Sequence, residues 1–106
     1  MVLTSWNIQA ITGYEPKTTF WSDFDIADHF GRNAIRDTFN RAFAGWKDNV
    51  VYLTELVMVL NWKLWQHYES RPELGEVYSD LYETASLYAE EHLTGEDLSY
   101  YYRTTD

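Results

Sequence analysis

The sequence contains no cysteine, only two prolines and few basic residues. The absence of cysteine excludes a disulfide framework, a thiolate zinc site and a cysteine nucleophile. Eight Lys and Arg residues stand against 17 Asp and Glu, so the formal net charge is −9. Nucleic-acid-binding modules normally carry a basic patch, and anionic membranes attract basic segments. The composition therefore argues against direct nucleic-acid binding and against attachment to a membrane surface.

Long apolar runs are also missing. The first residues, MVLTSWNIQAITGYEPK, lack a basic region followed by an apolar stretch, so we expect no signal peptide. The most apolar segment, 50–68, is interrupted by polar residues, whereas a membrane span needs about 20 mostly apolar residues. A chain of 106 residues suits one domain with one core. We expect a soluble, cytoplasmic protein forming a single helical domain over 1–106.

The segment VVYLTELVMVLNWKLWQHYE, residues 50–69, predicts the central element of the fold. At about 100° per residue its apolar side chains spread round most of a helix instead of sharing one stripe. A helix with so little polar surface must be covered on most sides. The sequence therefore predicts a central apolar helix sheathed by the rest of the chain.

Local signals divide the rest of the chain into helices. Ser22 begins a helix with a variant capping box, and Gly31 ends it. An amphipathic helix is expected over about 33–47, after which Asp48 or Asn49 caps the central helix. A further helix begins near Pro72 and ends at 94–95, and a last short helical segment follows.

Residues 1–21 show no helical period and are predicted to form an extended arm, with a weak strand pair at 6–11 and 18–21, packed on the helices. Because the connections are short, consecutive helices should pack antiparallel. The predicted fold class is all-α: a small four-helix-type bundle around the central apolar helix, with an irregular amino-terminal arm.

No set of residues predicts catalysis, a cofactor or a metal ion. The histidines, His29, His67 and His92, lack the Glu-x-x-His and His-x-x-x-His spacings of helical metal sites. Asp25 and His29 are four residues apart and could share a proton or a metal, although a plain helix-face pair is the interpretation we favour. The paired carboxylates belong to solvated surfaces, and no Ser or Thr has a suitably spaced histidine. We therefore expect a protein that is not an enzyme.

Aromatic residues are abundant, at 18% of the chain, and supply the candidate partner-binding residues. Trp and Tyr are the residues most enriched at binding hot spots, but aromatic residues at helical spacing also build cores, and both interpretations stay open. The candidates recur at three-residue steps in the central helix or form a run near the end of the chain: Trp62, Trp65, Tyr68, Tyr100, Tyr101 and Tyr102.

The negative charge is concentrated late in the chain. Residues 69–97 hold nine acids and one base, whereas residues 32–63 hold five bases and three acids. A solvated helix face is one interpretation, and a docking surface for a basic partner is the other. The candidate acidic surface consists of Glu73, Glu76, Asp80, Glu83, Glu90 and Glu91.

Three segments, EPKTTFWSDFDIADHFG, VYLTELVMVLNWKLWQHYE and LSYYYRTTD, resemble small uncharacterised proteins of gut Firmicutes that are often carried on conjugative or other mobile elements. The resemblance covers most of the chain. It implies a bacterial cytoplasm and an accessory role on a mobile element, and it implies no activity and no catalytic residues.

These patterns support three hypotheses. The first is a non-enzymatic interaction domain that binds another protein, or itself, through aromatic and acidic surfaces. The second is an acidic nucleic-acid mimic that inhibits a DNA-binding enzyme; it requires the acidic surface to form one exposed row that Arg36 and Arg41 do not neutralise. The third is a small-molecule-binding domain with a pocket lined by Trp62, Trp65 and Tyr78.

Overall fold

The structure, a computed structural model, describes residues 18–105 and the side chains of 21–105. Within that range it contains five helices and no strand. The helices are α1 (Thr18–Phe30), α2 (Arg32–Trp46), α3 (Val50–His67), α4 (Pro72–His92) and α5 (Gly95–Thr105). The all-α class predicted from the sequence is confirmed for this part of the chain.

Helix α1 begins earlier than predicted. It starts at Thr18, so the helix start at Ser22 and the strand over 18–21 are both wrong. The reason is tertiary: Trp21, Phe24 and Asp28 lie three and four residues apart on one buried face, and a helical Trp21 shares that face. The predicted strand at 6–11 and the rest of the amino-terminal arm lie outside the described residues.

Local signals set the next boundaries. Helix α1 ends before Gly31, whose φ of 100° is a conformation that other residues rarely adopt. Asn49 caps α3: its side-chain oxygen accepts hydrogen bonds from the backbone N–H groups of Val51 (3.1 Å) and Tyr52 (3.3 Å). Pro72 occupies the first turn of α4, where its missing N–H costs no hydrogen bond.

Helix α3 contacts every other described helix and packs most extensively on α4. All eight residues from Leu53 to Leu60 are buried, including Thr54 and Glu55. Helix α5 returns antiparallel to α4, because Tyr101, six residues after its start, contacts Ser86, six residues before the end of α4. The helices of the described part are too short or too polar to cross a membrane.

Candidate functional site

Of the predicted aromatic residues, Trp62 and Trp65 lie in the carboxyl-terminal half of α3, and Tyr68 caps its end. Trp62 is half-buried and packs against the core, whereas the side chains of Trp65 and Tyr68 are 54% and 72% exposed. The rings of Trp62 and Trp65 stack with their centroids 5.9 Å apart. The half-buried ring of Trp62 therefore packs against the ring of Trp65, and Trp65 and Tyr68 present their rings to solvent.

An open groove runs between α3 and α4 beside these rings. We call it the α3–α4 groove; its volume is about 230 Å³, and its lining is Leu64, Tyr68, Pro72, Gly75, Glu76 and Ser79. The two helices supply these residues at spacings of three and four, so each contributes one face. Gly75 is buried where α4 approaches the end of α3, since an added Cβ would lie 3.6 Å from the His67 backbone oxygen, and Ser79 contributes only a small side chain to the groove. A neighbouring hollow of about 330 Å³ is lined by Trp65, Gln66, Tyr68, Glu69 and Ser70.

The run of three tyrosines in α5 divides between core and surface. Tyr101 is only 4% exposed, and its hydroxyl donates to the Ser86 hydroxyl at 3.1 Å. Burial raises the pKa of Tyr101 above its ordinary value. Tyr100 is half-buried, and Tyr102 is exposed. Tyr101 thus fills the core instead of offering its ring to a partner, and Tyr102 is the most exposed ring of the run.

The predicted acidic residues share one exposed face of α4. At about 100° per residue, all six fall within an arc of about 100°. Each of them is exposed to solvent. Among the side chains of 21–105, neither Arg36 nor Arg41 forms an ion pair with them; the pairing on this face is between Arg71 and Glu73, at 3.5 Å. Leu87, which is also exposed, interrupts the row.

A buried ionic cluster joins α1, α3 and α4, and sequence reasoning missed it. Asp28 lies at its centre and is 8% exposed. Its Oδ2 accepts from Lys63 Nζ at 2.8 Å and lies 3.1 Å from His67 Nε2, and its Oδ1 accepts from the Tyr78 hydroxyl. Because a carboxylate only accepts hydrogen bonds, His67 Nε2 must carry the hydrogen. Lys63 also donates to the exposed carboxylate of Asp25.

The cluster fixes the charge states of Asp28 and Tyr78. Burial by itself raises the pKa of Asp28, but hydrogen bonds from Lys63, Tyr78 and His67 outweigh it, so that the pKa lies below its ordinary value. Burial, followed by the hydrogen bond to Asp28 and its charge, raises the pKa of Tyr78 far above its ordinary value. Asp28 is therefore held as an anion and Tyr78 as a neutral donor.

The cluster also bears on two sequence interpretations. Asp25 accepts a hydrogen bond from Lys63 on α3, which leaves the favoured interpretation of Asp25 and His29 as a plain helix-face pair in place. Tyr78 is fully buried and bonded to Asp28, so it lines no open pocket with Trp62 and Trp65. Within the described part of the chain, no three His, Cys, Asp or Glu side chains are placed to hold a metal ion.

One sequence signal did point to this cluster. Lys63 and His67 are four residues apart on a mostly apolar helix, where a buried polar group needs a partner. The partner, Asp28, is 35 residues away from Lys63 in sequence, and no local pattern indicates which carboxylate meets it.

The chain matches no protein-family model, and no curated protein and no solved structure matches it.

Proposed function

We propose that this protein is a non-enzymatic interaction domain that binds another protein, or a second copy of itself, through the exposed aromatic and acidic surface of α3 and α4. The observation that carries the proposal is the exposure of Trp65 and Tyr68 beside the open α3–α4 groove. Large exposed rings beside an apolar hollow are the kind of surface that partners use as hot spots.

The burial of the ionic cluster supports the proposal that the protein is not an enzyme. The three donors that meet Asp28 come from Lys63, His67 and Tyr78, and Lys63 is only 2% exposed. General acid–base chemistry needs a group within hydrogen-bond reach of a substrate. A cluster that is buried and bonded in this way serves to hold α1 against α3 and α4.

We also propose how the helices are arranged and where in the cell the protein acts. We take α1–α4 as a four-helix-type bundle with α3 as its central apolar helix; the contacts of α3 with the other four described helices support this arrangement. The setting is a bacterial cytoplasm, with an accessory role on a mobile element, as the resemblance implies.

A capture experiment with two surface variants tests the proposal. The double variant Trp65→Ala/Tyr68→Ala removes the two exposed rings beside the groove. Phe30→Ala removes a ring on α1 that is 77% exposed, more than either of them. We expect a purified partner, or the chain itself in sedimentation, to associate with the wild type and with Phe30→Ala but not with the double variant. Equal association of all three forms, or a strict monomer that binds no partner, would contradict the proposal.

The second candidate function is inhibition by nucleic-acid mimicry, and the exposed acidic row of α4 favours it. The six carboxylates lie between positions 73 and 91, about 27 Å of helix, or roughly one charge per 5 Å. Duplex DNA carries one charge per about 1.7 Å of its axis. The row therefore has about a third of the charge density of DNA, which is why mimicry ranks second.

Competition with DNA separates this candidate from the first. Under mimicry, a captured DNA-binding protein should be displaced by duplex DNA and should not bind the amide variant Asp80→Asn/Glu83→Gln/Glu90→Gln. A partner that DNA does not displace, and that still binds the amide variant, excludes mimicry.

A further inference from the structure

The groove between α3 and α4 is already filled by a helix at one end. Helix α5 runs back along α3 and α4, with Tyr101 buried against them and its hydroxyl on Ser86. The open part of the groove, from Pro72 to Ser79, continues in the direction in which α5 runs. Within the molecule, α5 therefore packs across the seam of α3 and α4, with Tyr101 as its buried contact residue.

The open part has the dimensions of a short helical contact. Pro72 and Ser79 are seven residues apart, which is about 10 Å or two helical turns. Its apolar lining comes from Leu64, Pro72 and Gly75, and the exposed ring of Tyr68 lies beside them. Two turns of an amphipathic helix would place two or three apolar side chains on this lining.

The charge around the opening is negative. Glu76 lines the groove, Glu69 lines the adjacent hollow, and Asp80 and Glu83 follow Glu76 on the exposed face of α4. The nearest base in sequence, Arg71, is turned toward other groups: it donates to the backbone oxygen of Asp28 at 3.2 Å and lies 3.5 Å from Glu73. A cationic occupant complements this opening, and an anionic one is repelled by it.

The same charges argue against a second copy as the occupant. The chain carries a net charge of −9, and the exposed face of α4 would meet its own negative potential across a symmetric contact. We infer that the open part of the α3–α4 groove binds a cationic amphipathic helix of another protein, an inference that rests on the proposed interaction function. Tyr68 and Leu64 take its apolar side chains, and Glu69, Glu76 and Asp80 take its Lys and Arg side chains.

Model peptides with acetylated and amidated ends test the inference, and the full chain is used as the binding protein. The probe is a dye-labelled helical peptide of Leu and Lys, about three turns long, with Leu at i, i+3, i+4 and i+7. A Leu/Glu peptide with the same spacing tests charge, and a Leu/Lys peptide of the same composition with alternating order tests helicity. Binding is measured by fluorescence anisotropy, and peptide helicity by circular dichroism.

Two pairs of variants locate the binding site. Ser79→Trp fills the groove, and Thr84→Trp places the same ring on an exposed part of α4 outside it. We expect Ser79→Trp to weaken binding of the helical Leu/Lys peptide at least about tenfold, since the apolar lining is no longer accessible. Thr84→Trp should leave binding unchanged, and denaturation curves of both variants show whether each is folded.

The second pair reverses a charge. Glu76→Lys should weaken binding roughly three- to tenfold, because an attractive contact becomes a repulsive one. Glu91→Lys makes the same change in net charge about 22 Å away along α4, beyond the Debye length of about 8 Å, and should have little effect. Equal weakening by both would show attraction to the overall charge and would overturn the inference.

The remaining outcomes separate the inference from the proposed function. The protein could instead prefer the Leu/Glu peptide or the alternating peptide to the Leu/Lys helix. If Ser79→Trp blocks that binding, the result overturns the cationic helix as the occupant but supports the groove as an interaction surface. A dimer that Ser79→Trp disperses makes a second copy the occupant and also overturns the inference. Failure of every peptide overturns it too, and the capture experiment with the Trp65/Tyr68 variant then decides the interaction function independently.

Discussion

The carboxylate of Asp28 lies 2.8 Å from the ammonium nitrogen of Lys63, and both side chains are buried between α1 and α3. A buried ion pair gains little net free energy over a well-packed apolar pair, but removal of one partner leaves a charge without compensation. The contact also fixes which face of α1 meets α3. We therefore assign the pair to the orientation of α1 and expect its loss to destabilise the fold.

The first prediction concerns the central carboxylate. Asp28→Asn should lower the free energy of unfolding by about 3–5 kcal/mol, because the buried Lys63 loses its buried charged partner and keeps only the exposed carboxylate of Asp25. Asp25→Asn is the matched control: it removes the other carboxylate that Lys63 contacts, but that side chain is 66% exposed and should contribute no more than about 1 kcal/mol. Urea denaturation measures both, and equal losses would contradict the central role of Asp28.

The second prediction concerns acid stability. The folded pKa of Asp28 lies below its ordinary value of 3.8, so near that pH the unfolded chain binds the proton more readily than the folded one. The stability contributed by Asp28 is therefore complete above about pH 4 and is lost as the pH falls through the folded pKa. Urea midpoints measured down to acid pH should fall in the wild type and fall less steeply in Asp28→Asn. Parallel curves would show that other carboxylates cause the acid loss.

Features encoded by neighbouring residues could be predicted from the sequence. The end of α1 at Gly31, a cap at Asp48 or Asn49 and the start of α4 near Pro72 each follow from local chemistry, and the structure selects Asn49 as the cap. The start of α1 could not be predicted in this way. It depends on burial of Trp21 beneath other helices, and that contact overrides the local capping signal at Ser22.

The candidate site shows the same division. The three-residue spacing of Trp62, Trp65 and Tyr68 predicted a shared region of α3, but neighbouring helices decide which ring is covered and which is exposed. The ionic cluster was missed because its contacts join residues 35 to 50 positions apart in the sequence. Periodicity shows that a polar residue faces a core, and only the packed structure shows its partner.

The third prediction concerns alkaline titration. The pKa of Tyr78 is raised far above its ordinary value of 10.0, so the folded protein retains this proton when the unfolded chain releases it. The stability that Tyr78 contributes is complete below about pH 10 and is lost as the pH rises further. Near-ultraviolet absorbance should show exposed tyrosines ionising first and Tyr78 only when the protein unfolds. In Tyr78→Phe the step at unfolding should shrink; an unchanged step would contradict the assignment.

The fourth prediction compares two glycines. Gly31 has φ 100° and ψ −165°, a region essentially confined to glycine, and no atom within 4 Å would meet an added Cβ. Gly31→Ala should therefore lose about 1–3 kcal/mol through backbone strain alone. Gly45 lies in the last turn of α2, one residue before its end, also with open space around it, so Gly45→Ala should gain no more than about 0.5 kcal/mol by improving helix propensity. Chemical denaturation of both variants measures the difference, and a neutral Gly31→Ala would show that the turn between α1 and α2 can adopt another conformation.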